Sequence, residues 1–206
     1  MSKQNKWEKF YKNTPLEKIS WQKTQADYLT KVIDTGKVKP GRALDLGCGT
    51  GIKSILLAKK GFDVTGIDIS ETAINYANEN TKKENLEIKF IVADATDLDF
   101  LGEKKFDFIL DWANLHGIPE NKRDKYIKGI TKHLKSGGKL VLRCFGRDES
   151  ENSFVMRPMG KIYLFTKEDI EKIYSKNFKI LEINISKPPN KEAPGKFFYE
   201  VLMEKL

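Results

Sequence analysis

The chain has 206 residues, enough for a full hydrophobic core, and no apolar run long enough to cross a bilayer. Its first thirty residues are polar and hold no signal-peptide core, so the sequence reads as a cytoplasmic protein with no membrane partner. The formal charge is +8, but arginine stands only at Arg42, Arg123, Arg143, Arg147 and Arg157, and the lysines are dispersed beside glutamates. A scattered lysine surface is a poor phosphate reader, which makes nucleic acid the weaker partner reading. Cys48 and Cys144 lack metal-type spacing, so they read as reduced thiols and no metal site is expected.

Residues 1–35 are helical in pattern and carry Trp7, Phe10, Tyr11 and Trp21. A short apolar run at 42–47 ends in glycine and reads as a buried strand. A helix at 51–60 is closed by Gly61, and a second strand covers 62–67. Ser70 caps a helix at 71–80, with Glu71 in its first turn. Strands follow at 86–92 and 106–110, then a helix at 120–134. Gly137-Gly138 turns the chain into a fifth strand, 139–145. The segment 146–165 reads as a long loop that shapes a binding site. Thr166, with Asp169 three residues on, caps a helix at 167–175. Two last strands, 178–185 and 196–203, flank Pro188, Pro189 and Pro194, which forbid a long helix between them.

Strands alternating with helices predict a parallel sheet, and the two last strands, joined without a helix, predict antiparallel pairing. The expected fold is α/β: a Rossmann-like, seven-stranded, mostly parallel sheet with helices on both faces, an antiparallel last strand and N-terminal helices. It reads as a single domain, 1–206, with a helical lid at 1–38 and the core at 39–206, in a monomer or weak dimer.

The strongest motif is Asp45-Leu46-Gly47-Cys48-Gly49-Thr50-Gly51, between a strand and a helix. A cofactor lying against Gly47, Cys48, Gly49 and Gly51 needs bare backbone, since a Cβ would collide with it. Asp45 would repel a phosphate but suits the amino group of an amino-acid-bearing cofactor. Asp68 ends the second strand, where a carboxylate accepts from both ribose hydroxyls. Asp94, after the third strand, suits the exocyclic amine of adenine. Ala95 offers a backbone N–H, and Ile69 covers one face of the ring.

The segments LDLGCGTG, VTGIDIS, IVADATDL, FDFILDWANLH and HLKSGGKLVL, from about residue 40 to 145, resemble the class I S-adenosylmethionine-dependent methyltransferase superfamily. More narrowly, Trp7…Trp21 before a long helix, LLAKKGFDVTGIDIS and HGIPENKRDKY resemble its thiopurine, thiol, halide and tellurite-resistance branch. The resemblance implies S-adenosyl-L-methionine as cofactor, S-adenosyl-L-homocysteine as product and a small-molecule acceptor, with thiol/chalcogen or hydroxyl favoured. The chain departs from that branch at Ser20-Trp21, where Pro-Trp is common. It departs again at Asp111-Trp112, where Asp-Arg is common, which changes the charge expected in the acceptor pocket.

By this resemblance Asp111 faces the cofactor's methionyl end, as a base or a ligand to its amine; the plainer reading is a loop carboxylate. Trp112 is a pocket wall or a core residue. His116 is a proton acceptor or a loop-stabilising hydrogen bonder. Trp21 over the cofactor, and Trp7 and Tyr11 over the acceptor, form an aromatic lid or simply pack the N-terminal helix. Arg157 holds an anionic acceptor or is a surface residue. His133 reads as a favourable helix-end charge. Asp-Trp-Ala-Asn after the fourth strand, in place of Asn- or Asp-Pro-Pro-Tyr, argues against methylation of a base amino group. The alternatives are an RNA or protein methyltransferase using the basic surface and a cofactor-binding protein without catalysis.

Overall fold

The computed structural model describes residues 3–19, 21, 26–188 and 193–206. Ser20 and Pro189 lie outside the described residues. The main sheet has seven strands in the order β3-β2-β1-β4-β5-β9-β8, and a separate two-stranded sheet is formed by β6 and β7. This is the Rossmann-like α/β arrangement that the alternation predicts. The chain forms two compact units, Met1–Ala95 and Thr96–Leu206.

The first unit holds α1 (Lys3–Asn13), a 3-10 turn (Leu16–Lys18), α2 (Asp27–Asp34), β1 (Arg42–Leu46), α3 (Ile52–Lys59), β2 (Asp63–Asp68), α4 (Glu71–Lys83) and β3 (Lys89–Val92). The strands pair in parallel, Ala43 opposite Val64 and Gly66 opposite Phe90. Leu44, Leu46 and Ile67 are fully buried, as expected for parallel strands covered on both faces. The helical pattern of residues 1–35 breaks after Asn13. Pro15 lacks an N–H and holds an extended backbone, and it biases Thr14 away from helix. α4 runs past residue 80, and its end consumes the start of the expected third strand. Asn85 adopts φ 52° and the Leu86 N–H donates to the Thr81 carbonyl, a helix-terminating geometry that asparagine tolerates.

The second unit holds β4 (Phe106–Trp112), a 3-10 turn (Leu115–Gly117), α5 (Glu120–His133), β5 (Leu134–Gly146), β6 (Phe154–Arg157), β7 (Gly160–Tyr163), α6 (Lys167–Tyr174), β8 (Phe178–Ser186) and β9 (Phe197–Lys205). β4 and β5 are parallel, while β9 runs antiparallel to both β5 and β8. β5 begins at Leu134 rather than 139. Phe106 faces Leu134 but Phe108 faces Lys139, so the Gly137-Gly138 region bulges out of register within the strand. The expected loop 146–165 instead contains the β6–β7 hairpin, with Phe154 opposite Tyr163 and Arg157 opposite Gly160. The Thr166–Asp169 capping box forms as the sequence indicates: each side chain accepts from the other's N–H, at 3.1 and 3.0 Å. Among the described residues no helix is long and apolar enough to cross a membrane, and no cluster suited to a metal ion is present.

Candidate functional site

In the first unit the glycine motif forms a tight turn from β1 into α3. Gly47, Gly49 and Gly51 have φ of 69°, 55° and 81°, a backbone only glycine adopts without strain. The need for glycine is therefore conformational as well as steric. Asp45 is buried, and its Oδ2 accepts from the Ser54 hydroxyl at 2.6 Å, tying β1 to α3.

Asp68 closes β2 with its carboxylate turned back toward this loop. Its Oδ2 accepts from the Gly49 N–H and its Oδ1 from the Ser70 N–H, each at 2.9 Å. Ser70 caps α4 by accepting from the Ala73 N–H. Ile69 is half-buried beside it, Asp94 is half-buried after β3, and Ala95 is buried. Cys48 is buried in the loop, and burial, with Asp45 and Asp68 nearby, pushes its thiol well up. It is therefore a poor nucleophile, and it contributes backbone rather than chemistry.

The N-terminal aromatics gather as the sequence suggests. Phe10 and Trp21 stack at 5.2 Å, Trp7 meets Trp21 edge-on at 6.2 Å, and Trp7 and Tyr11 lie 6.2 Å apart. Tyr11 is buried with Ile19 and Ala73, and Trp21 donates a hydrogen bond to its hydroxyl. That hydroxyl reaches the glycine loop: a Cβ built on Gly49 would stand 2.9 Å from it. Burial, and then the charge of Asp68, pushes the Tyr11 phenol well up, so it remains a donor. Tyr11 thus stands with the residues expected for the cofactor, although the sequence pairs it with the acceptor.

In the second unit Asp111 is fully buried at the end of β4. Oδ1 accepts from the Asn114 and Leu115 N–H groups at 2.8 and 3.0 Å, and Oδ2 from the Tyr126 hydroxyl at 2.7 Å. Burial, and then Asp111 itself, pushes Tyr126 well up, which preserves it as a donor. The carboxylate is thus turned to donors of the protein itself. Its geometry fits a strut that shapes the 3-10 turn carrying His116. Ala113, between β4 and this turn, adopts φ 75°, a conformation that strains any residue with a side chain.

His116 is buried with its ring 4.6 Å from that of Phe145. Trp112 is half-buried, and its buried indole N–H has no hydrogen-bond partner among the described residues. Arg157 is exposed at the tip of the β6–β7 hairpin, whose strand β7 packs on the 3-10 turn carrying His116. His133 is buried, with Nδ1 2.9 Å from the Lys104 carbonyl oxygen; it ties α5 to the chain before β4 and is not a solvent-facing helix-end charge.

The sequence reading passes over one feature. Arg143, opposite Trp112 across the β4–β5 pair, lies with its guanidinium 4.9 Å from the Trp112 ring and 3.7 Å from that of Phe198. It pairs with buried Glu200 at 3.3 Å, and Glu200 accepts from Asn184 at 2.7 Å. A cation therefore stands beside Trp112 after all, supplied by the neighbouring strand. The signal was available: Arg143 interrupts the apolar run 140–145 and Glu200 the apolar run 197–203, and such charges are seldom buried unless paired.

Residues 43–138 match a family described as methyltransferase domain. This stretch, just under half of the chain, is similar to that family. Over 155 residues, 74% of the chain, it is 30% identical to a probable S-adenosyl-L-methionine-dependent methyltransferase, TehB, of Haemophilus influenzae, 51% of which is covered. Over 130 residues, 62% of the chain, it is 32% identical to a ubiquinone biosynthesis O-methyltransferase of Coxiella burnetii, 53% of which is covered. The chain thus spans about half the length of the curated relatives it matches. The fold is similar to that of the 1,6-didemethyltoxoflavin-N1-methyltransferase of Burkholderia thailandensis, solved with S-adenosylhomocysteine. The TM-score is 0.81 at 18% identity, covering 98% of this chain and 86% of that one. The likeness bears out the Rossmann-like fold expected from the alternation of strands and helices.

Proposed function

We propose that the chain transfers a methyl group from S-adenosyl-L-methionine to a small-molecule acceptor bearing a thiol/chalcogen or hydroxyl nucleophile. The observation that carries this reading is Asp68. It is a strand-end carboxylate oriented by two backbone N–H groups, one from the glycine turn, in the posture needed to accept from a ribose. The bare turn at Gly47, Gly49 and Gly51 fits a nucleoside lying against main chain. Asp45 serves the amino group, and Ile69, Asp94 and Ala95 serve the adenine. Tyr11 and Trp21 cover the cofactor, and Trp7 and Arg157 serve the acceptor.

When bound, the sulfonium supplies a methyl group already activated for in-line displacement. The chain's own residues then have to orient the acceptor and exclude water. Trp112, with Arg143 beside it, forms a wall for the acceptor. His116, held by the turn that Asp111 braces, accepts a proton from a hydroxyl acceptor. A thiol needs less help, because a modest thiolate fraction suffices. The names of the relatives, a ubiquinone-pathway O-methyltransferase and a toxoflavin N-methyltransferase, support a small acceptor.

The test supplies methyl-labelled cofactor with a panel of thiols and phenols. Label in a small product supports the proposal. Transfer only to RNA or protein, with binding that weakens steeply with salt, replaces it with the macromolecular reading. Replacing His116 with alanine is expected to reduce turnover of phenols about 100-fold and of thiols much less. Equal losses would remove its proton-transfer role.

A further inference from the structure

An unbroken run of hydrogen bonds joins α1 to the carboxylate that would hold the ribose. Glu8, on α1, reaches the first turn of α4. Its Oε2 accepts from the Ser70 hydroxyl at 2.7 Å and the Thr72 N–H at 3.1 Å, and its Oε1 from the Thr72 hydroxyl at 2.7 Å. Ser70 then passes the contact on, because its own N–H donates to Asp68 Oδ1. The other oxygen of Asp68 holds Gly49, and Gly49 meets the hydroxyl of Tyr11, one turn along α1 from Glu8. Two side chains on one face of α1 therefore grip the two loops that carry the nucleoside residues.

A glutamate within a surface helix ordinarily stays solvated. Glu8 instead sets its charge on the N-terminal turn of α4, where the helix dipole favours it. Burial alone would raise its carboxyl, but hydrogen bonds from Thr72 and Ser70 outweigh that and hold it at about 2. Lys12 also pairs with it at 3.1 Å, but is largely exposed and adds little.

We propose that Glu8 is a positioning residue for the cofactor. It latches α1 onto α4 and, through Ser70, fixes the Asp68 carboxylate, so that lid docking and binding of an adenosyl nucleoside favour each other. This rests on the reading of Asp68 as the ribose ligand. Because coupling is reciprocal, the nucleoside must also tighten the lid.

The test compares the full chain with its Glu8→Ala and Glu8→Gln variants. The probe is S-adenosyl-L-homocysteine, with affinity read by calorimetry and lid docking by hydrogen exchange of the α1 amides. Glu8→Ala is expected to weaken binding about fivefold to tenfold and to abolish the extra protection that the probe gives α1. Glu8→Gln, which keeps one acceptor oxygen, falls between. Should Glu8→Ala fold poorly, Thr72→Val removes one of the donors, leaves Ser70 and Asp68 in place, and gives the same pattern at smaller amplitude. Unchanged affinity, or α1 protection lost equally with and without the probe, overturns the latch alone. A wild-type chain that does not bind the probe overturns the cofactor reading, and the latch with it.

Discussion

Asp68 and Asp111 each end a parallel strand, and each accepts from the N–H of the turn that follows. Their surroundings divide them. The Asp68 carboxylate accepts from the backbone N–H groups of Gly49 and Ser70, beside the N-terminal helix whose Tyr11 hydroxyl reaches Gly49. Asp111 has no exposure and spends its second oxygen on Tyr126, a side chain of the helix packed against it. The same strand–aspartate–turn pattern thus carries two proposed roles, a ribose ligand at Asp68 and a strut at Asp111. At Asp111 the Tyr126 hydroxyl ties the carboxylate to α5.

This contrast breaks most directly at Asp111. Replacing it with alanine leaves the Tyr126 hydroxyl and two backbone N–H groups buried without an acceptor, and should cost about 3 kcal/mol of stability in denaturant melts. A variant as stable as the wild type would end the strut assignment. Asp68→Ala should behave oppositely, with a modest stability loss but S-adenosyl-L-homocysteine binding weakened by about 1.5–3 kcal/mol in calorimetry. Unchanged affinity would take Asp68 out of the site.

The pH dependence sharpens the first region alone. Glu8 sits at about 2 in the folded chain against a usual 4.5, so the unfolded chain takes up its proton first as pH falls. Its contribution is whole above about pH 4.5 and fades as pH drops toward 2. The stability gap between wild type and Glu8→Gln should be flat near neutrality and close across that window; a gap that persists at pH 2 would mean the charge is not what latches the helix. The smallest effect concerns the second region. Ala113→Gly relieves the φ 75° strain and should stabilise the chain by up to about 1 kcal/mol, less the greater freedom of glycine in the unfolded state. A destabilised variant would show that the Ala113 methyl packs against something that matters more than the strain.

Local chemistry explains what was readable beforehand. The glycine turn, Asp68 and the Thr166–Asp169 cap depend on residues close in sequence, and their backbone demands leave few residue types to choose from. The β6–β7 hairpin went unread because its turn, Pro158-Met159, lacks the glycine or asparagine pair that marks a two-residue hairpin, and Phe154, Val155 and Met156 do not alternate with polar residues. The early start of β5 went unread because the Gly137-Gly138 signal for a turn is, in the folded chain, a bulge inside a strand.

The sequence alone determined the mixed character of the sheet, the parallel pairing around the glycine turn and the place of Asp68 at the end of β2. Each follows from periodicity or from backbone angles that neighbouring residues dictate. Only the tertiary structure decided that Asp111 meets Tyr126, that Arg143 and Glu200 place a paired charge beside Trp112, and that Tyr11 and Glu8 of α1 reach the glycine turn and the first turn of α4. Those outcomes depend on partners 15 to 64 residues away, brought together by packing, and no local pattern specifies which distant donor arrives.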